Sequence, residues 1–205
     1  DNWGLWVVAS LQGINRFVAL GVLAATLGLL VQDWLKSTPL AIGVATLTGV
    51  LVAGRAGLSM LAAPLAGAAS DRTGNRWLVV AGALAIGVVS MWMLTTDVVA
   101  ALLAGIALAA VVRGANQAMV TALTGDLVSH EQRGRAIGLV HTASDLGSAV
   151  GPPIAYLLLP WIGLTGIYVM CAAVFAVELV VVLVFQFIKA NFIRKSTCSV
   201  HVVER

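Results

Sequence analysis

Six long apolar runs, separated by short polar or charged breaks, dominate the chain. A helix that crosses a bilayer needs about 20 mostly apolar residues at a rise of ~1.5 Å each. The stretches 5–31, 40–67, 77–94, 98–123, 136–159 and 164–188 meet that length. The breaks carry turn chemistry: a polar turn at 33–39, a charged one at 71–76, Thr95-Thr96-Asp97, a charged segment at 129–135, and Pro160-Trp161-Ile162-Gly163. The pattern predicts an all-α membrane protein. A bundle of six transmembrane helices would fill residues 1–188, and 189–205 would form a cytoplasmic tail.

Composition agrees with that pattern. Only 10% of the 205 residues are charged and 60% are hydrophobic, against roughly 25% charged in a soluble domain. Such a chain cannot cover its surface with polar groups, so lipid is its solvent. The net charge of +3 is spread over short loops, and no nucleic-acid surface is expected. Cys171 lies in an apolar run and Cys198 in the tail, so no disulfide is expected. No metal spacing or cofactor motif is present. The first run lacks a basic leader and contains Arg16, which argues against a cleavable signal peptide. The start at Asp1 instead of Met leads us to expect that the natural N-terminus is missing.

The loops fix an orientation. Arg72, Arg76, Arg133, Arg135, Lys189, Arg194, Lys195 and Arg205 fall on one side, and Lys36 alone on the other. Basic loops stay cytoplasmic. Both termini are therefore expected in the cytoplasm, with the protein in the plasma (inner) membrane.

Arg16, Arg55, Arg113, Asp145 and Glu178 sit near the middle of five of the runs. A charge at mid-membrane costs roughly 2.5–3.5 kcal/mol even on the lenient scale, so these residues should face the bundle interior or a wet cavity. Asn15 adjoins Arg16, and Asn116 and Gln117 follow Arg113 on its helix face. His141 precedes Asp145 by one turn, as a proton relay or a hydrogen-bonded interior pair. Two readings stand for the whole set. It is a substrate or coupling-ion site at mid-membrane, or a lattice of buried pairs, such as Arg113 with Asp145, that sets helix register.

The loop Gly67-Ala68-Ala69-Ser70-Asp71-Arg72-Thr73-Gly74-Asn75-Arg76 resembles the G-x-x-x-D-R-x-G-x-R signature of the major facilitator superfamily (MFS), and lies between a second and third span as it does there. Gly67 would allow close helix approach, Asp71 would accept from a helix N-terminus, and Gly74 would permit the turn. Gly147-Ser148-Ala149-Val150-Gly151-Pro152 is similar to the family's fifth-span G-x-x-x-G-P, although Ala155 and Tyr156 replace its closing glycine pair. Pro152 and Pro153 should kink that helix into a gate. Arg113 matches the family's fourth-span arginine, with Gln117 where a glycine is usual. Asp126 with Arg133 and Arg135 resembles its D…RGR feature, which with Asp71 and Arg72 would form a cytoplasmic charge cluster.

The resemblance implies a six-helix half of a twelve-helix transporter, built of two inverted three-helix repeats. The first and fourth spans would line the cavity, and the second and fifth would meet the other half. The polar tail favours the C-terminal half, whereas the fifth-span motif favours the N-terminal one; we lean to the former. The expected function is secondary active transport of a small solute by alternating access, as a proton-coupled antiporter working in efflux. Its partners would be the bilayer, the solute, protons and the other half. A half-size dimer, a non-transporting scaffold or remnant, and an intramembrane serine hydrolase are the alternatives. The last lacks its motif, since Gly57-Leu58-Ser59-Met60 has no final glycine.

Overall fold

The computed structural model describes the backbone of residues 2–37 and 43–203, and the side chains of 3–35 and 43–188. All regular structure among these residues is helical. The first span, α1, joins an α-helix at Asn2–Arg16, a π-helical segment at Phe17–Val22 and an α-helix at Leu23–Ser37 into one rod. It is followed by α2 (Val44–Thr73), α3 (Arg76–Met93) and α4 (Val99–Leu127). The last helical stretch, Arg133–Val203, breaks at Gly163, whose φ of 65° and ψ of −179° lie outside the helical region. That break separates α5 (133–162) from α6 (164–203). At ~1.5 Å per residue, the apolar part of this stretch is more than twice the ~30 Å hydrocarbon thickness, so it crosses twice and the total is six.

Several expectations shift. The helix of α1 persists through the polar turn to Ser37. The expected start of the second span at Leu40 lies outside the described residues; its described helix begins at Val44. The kink expected at Pro152 is absent from the backbone angles. Pro152, Pro153 and Pro160 keep helical φ/ψ, and the chain turns at Gly163 instead. Proline's fixed φ near −65° fits a helix, so a proline can be kept at the cost of one hydrogen bond. A left-handed φ needs glycine.

Packing relies on small residues, because lipid gives apolar faces no reason to hide. The tightest seam joins α1 to α5. A methyl group on Gly147 would meet the Gly13 carbonyl, and one on Gly21 would come 2.7 Å from the Gly151 Cα. Gly114 of α4 faces the Ser59 carbonyl of α2 in the same way. Outer helices pack through larger groups. Phe175 of α6 lies over Gly87 of α3, and Phe185 stacks at a tilt on Trp77, with ring centroids 4.8 Å apart. Ser90 Oγ of α3 donates to the Gly105 carbonyl of α4 at 2.8 Å.

One helix is left bare. Only 6% of the most apolar stretch of α2 is buried. Gly43, Gly49, Gly54, Gly57 and Gly67 have no atom within 4 Å of where a Cβ would stand. Gly67 therefore makes no close helix contact within this bundle.

Candidate functional site

The site is built from the facing sides of α1, α2 and α4. Counting ~1.5 Å per residue from the helix ends beside the 74–76 and 128–132 turns, Arg16 and Arg113 share a depth of ~21 Å. Asp145 lies at ~18 Å and Arg55 at ~27 Å by the same measure. Glu178 is shallower, because it meets Ser10 of α1, ~12 Å from that end. The five ionisable residues thus occupy a band instead of one plane.

Gln117 is the hub of the layer. Its Oε1 accepts from Gln12 Nε2 at 2.9 Å and from Arg16 Nη2 at 3.2 Å, tying α4 to α1. Arg55 is 5% exposed and donates from Nη2 to the Ala19 carbonyl at 2.9 Å. Arg113 stands within electrostatic reach of both Arg16 and Arg55. The expected pairing of Arg113 with Asp145 does not occur. Asp145 and His141 are exposed on α5, His141 on the wall of a cavity, and no salt bridge to either is found among the described residues. Depth along a helix does not fix its rotation or the reach of a side chain, and Asp145 is left exposed instead of paired.

Much of the layer's polarity is unanswered. Asn15 and Asn116 are buried, and neither amide atom of either residue has a hydrogen-bond partner. Arg16 Nε, Arg55 Nε and Gln12 Oε1 share that condition. Below the layer opens a cavity of about 470 Å³. Gln12 and Gln117 are at its deep end, Thr121 and His141 on its wall, and Asp126 and Arg133 near the turn.

The turn end rearranges the expected charge cluster. Asp126 pairs with Arg76, Nη1 to Oδ2 at 2.9 Å, and not with Arg133 or Arg135. Arg133 Nη2 instead donates to the Gly125 carbonyl at 3.3 Å. Asp71, Arg72 and Arg135 are exposed. Gly74 takes φ 62°, and its N–H donates to the Ser70 carbonyl at 3.0 Å, closing α2. Asn75 then caps α3, its Oδ1 accepting from the Trp77 and Leu78 N–H groups. The fifth-span glycines, Gly147 and Gly151, serve the α1–α5 seam, with Pro152 partly buried beside them.

Three contributors escaped the sequence reading. Gln12 was visible as a polar residue one turn before Arg16, on the same face. Asn75 held a preferred capping residue type directly before a helix. The Ser10 hydroxyl, 3.0 Å from Glu178 Oε1, left no signal, since serine is ordinary in such helices.

Similarity to known proteins matches this architecture. The tetracycline resistance protein, class C, of Escherichia coli is 33% identical over 141 residues, 69% of this chain and 34% of that protein. The in meso crystal structure of the POT family transporter PepTSo shares the fold with a TM-score of 0.73. That match covers 91% of this chain and 38% of the transporter, at 18% identity. The chain thus spans about a third of the length of these proteins. The sequence profile of the Major Facilitator Superfamily matches residues 5–195. The chain belongs to that superfamily, as part of an integral, multi-pass membrane protein.

Proposed function

We propose that this bundle is one half of a secondary active transporter of the plasma membrane, with both termini cytoplasmic. It exports a small solute by alternating access in exchange for protons. The carrying observation is the polar layer of Gln12, Arg16, Arg113 and Gln117 on α1 and α4, adjoining a cavity large enough for a small solute. The bare face of α2 and the exposed Asp145 of α5 suit contact with a second six-helix half. Export is favoured by the relative named for tetracycline resistance.

Proton exchange is supported at Glu178. The Ser10 hydroxyl lies 2.9 Å from the Val7 carbonyl and 3.0 Å from Glu178 Oε1. Its single hydrogen serves one of them. A proton on Glu178 would satisfy both contacts, the acid donating to Ser10 and Ser10 to Val7. No salt bridge reaches Glu178 among the described residues.

The test is transport by the full-length protein in proteoliposomes under an imposed pH gradient. Solute accumulation that follows the gradient and collapses with a protonophore is expected. Accumulation indifferent to the gradient would remove the proton from the scheme. No flux for any solute, with the protein correctly inserted, would remove transport itself.

A further inference from the structure

We infer that the solute binds as an anion, a small carboxylate- or phosphate-bearing molecule held by Arg16 and Arg113 between α1 and α4. The inference rests on the transporter reading for the location of the site, and adds its chemistry.

Arg16, Arg55 and Arg113 stand on the facing sides of α1, α2 and α4, and Arg113 is within electrostatic reach of the other two. Among the described residues none of the three has a carboxylate partner. Like charges in a medium of low dielectric repel, and each already carries a burial cost of roughly 2.5–3.5 kcal/mol. Something negative must lower that cost during the working cycle. Glu178 and Asp145 do not supply it. One is turned to Ser10 between α1 and α6, and the other stands exposed on α5 without an ion pair to any of the three.

The arginines also divide by what they already hold. Arg55 is buried, donates to a backbone carbonyl and is fixed in place. It sets the field without offering its fork. Arg16 and Arg113 are only partly buried. Arg16 spends one donor on Gln117, and no hydrogen bond to Arg113 is recorded among the described residues. A guanidinium with donors to spare fits the two oxygens of a carboxylate or phosphate side by side. The buried amides of Asn15 and Asn116, with both polar atoms unanswered, are a second and independent sign. Buried nitrogen and oxygen atoms without a protein partner call for one from elsewhere, a bound water or ion or a ligand. Their N–H donors add neutral hydrogen bonds around the same anion, and the adjoining cavity of about 470 Å³ gives it room and a route.

The experiment measures thermal protection of the purified full-length protein by succinate, inorganic phosphate and tetraethylammonium at equal ionic strength. Protection by one of the anions, and none by the cation, is expected. Arg113→Gln should weaken that protection at least tenfold in concentration, while Arg113→Lys keeps part of it. If Arg113→Gln does not fold, Arg16→Lys and the ion preference of the unaltered protein still decide the matter. Protection by tetraethylammonium alone, or anion protection unchanged in Arg113→Gln, overturns the inference. Vesicle flux separates this from the functional reading. A flux carried by cationic or neutral solutes and indifferent to Arg113→Gln leaves transport standing and the anion refuted. Anion protection without any flux does the reverse.

Discussion

Arg55 of α2 crosses to α1 and donates from Nη2 to the carbonyl of Ala19 at 2.9 Å, inside the one π-helical segment among the described residues. A π segment carries a wider turn and is a common companion of functional sites. Here it lies directly after Arg16 and contains Gly21, which meets Gly151 of α5. The guanidinium holds α2 to the irregular turn and keeps a positive charge buried behind the polar layer.

Replacing Arg55 with Gln or Met should therefore cost about 1–3 kcal/mol of stability, the range for a buried hydrogen bond to a charged group. Thermal unfolding of the full-length protein in detergent reads the effect. A variant as stable as the parent would mean that the Ala19 carbonyl does not need its donor.

Glycines of equal prominence in sequence should respond oppositely. Gly147→Ala places a methyl group against the Gly13 backbone and should destabilise by about 1–3 kcal/mol through overpacking. Gly57→Ala meets nothing within the bundle and should leave its stability unchanged or raise it by up to ~1 kcal/mol. Transport lost in Gly57→Ala without loss of stability would place that bare face against another helix.

The loop signature separates a backbone role from an electrostatic one. Gly74→Ala forces a side chain onto φ 62° and should cost about 1–2 kcal/mol. The Arg76–Asp126 pair, with side chains 36% and 53% exposed, should contribute less than about 1 kcal/mol in a double-mutant cycle. A larger coupling would show that water is kept from the pair.

Gln117 offers a sharper substitution. Gln117→Glu puts a carboxylate where Arg16 now donates to an amide oxygen. The variant should melt higher, by an amount worth about 1–2 kcal/mol, and lose anion protection because the guanidinium is already satisfied. Higher stability with unchanged anion protection would free Arg16 from any role in binding.

Glu178→Gln preserves shape and a donor toward Ser10, so insertion should be kept and stability should change by less than about 1.5 kcal/mol, the range of one hydrogen bond. Uphill export under a pH gradient should fail, while downhill solute exchange continues. Intact uphill export would transfer the proton to Asp145, His141 or the other half.

The sequence carried the depth of most elements and little of their rotation. Apolar runs with charged breaks located six spans, and the spacing from Gly67 to Arg76 gave a turn that closes at Gly74 with the left-handed φ it requires. Rotation was hidden because helices apolar on every side offer no polar face to read. Asp145 could thus be paired on paper with Arg113 while standing exposed and apart from it. Glu178 looked misplaced on α6, yet it falls on the inward row that also carries Tyr168, Cys171, Phe175 and Val182. The π segment was invisible because its residues, Phe17–Val22, are ordinary helix formers in lipid. The Arg76–Asp126 pair depends on the start of α3 meeting the end of α4, which no local spacing encodes.

Where α1 meets α5, backbone lies on backbone at Gly13, Gly21, Gly147 and Gly151. With no side chains between them, there are no rotamers to take up slack, and neither rod can tilt without carrying its neighbour. The link from α1 to α4 is of another kind: two hydrogen bonds converging on a single amide oxygen, which can be exchanged one at a time. A tilt of α1 should therefore carry α5 with it, whereas the polar link from α1 to α4 can be remade without moving either backbone.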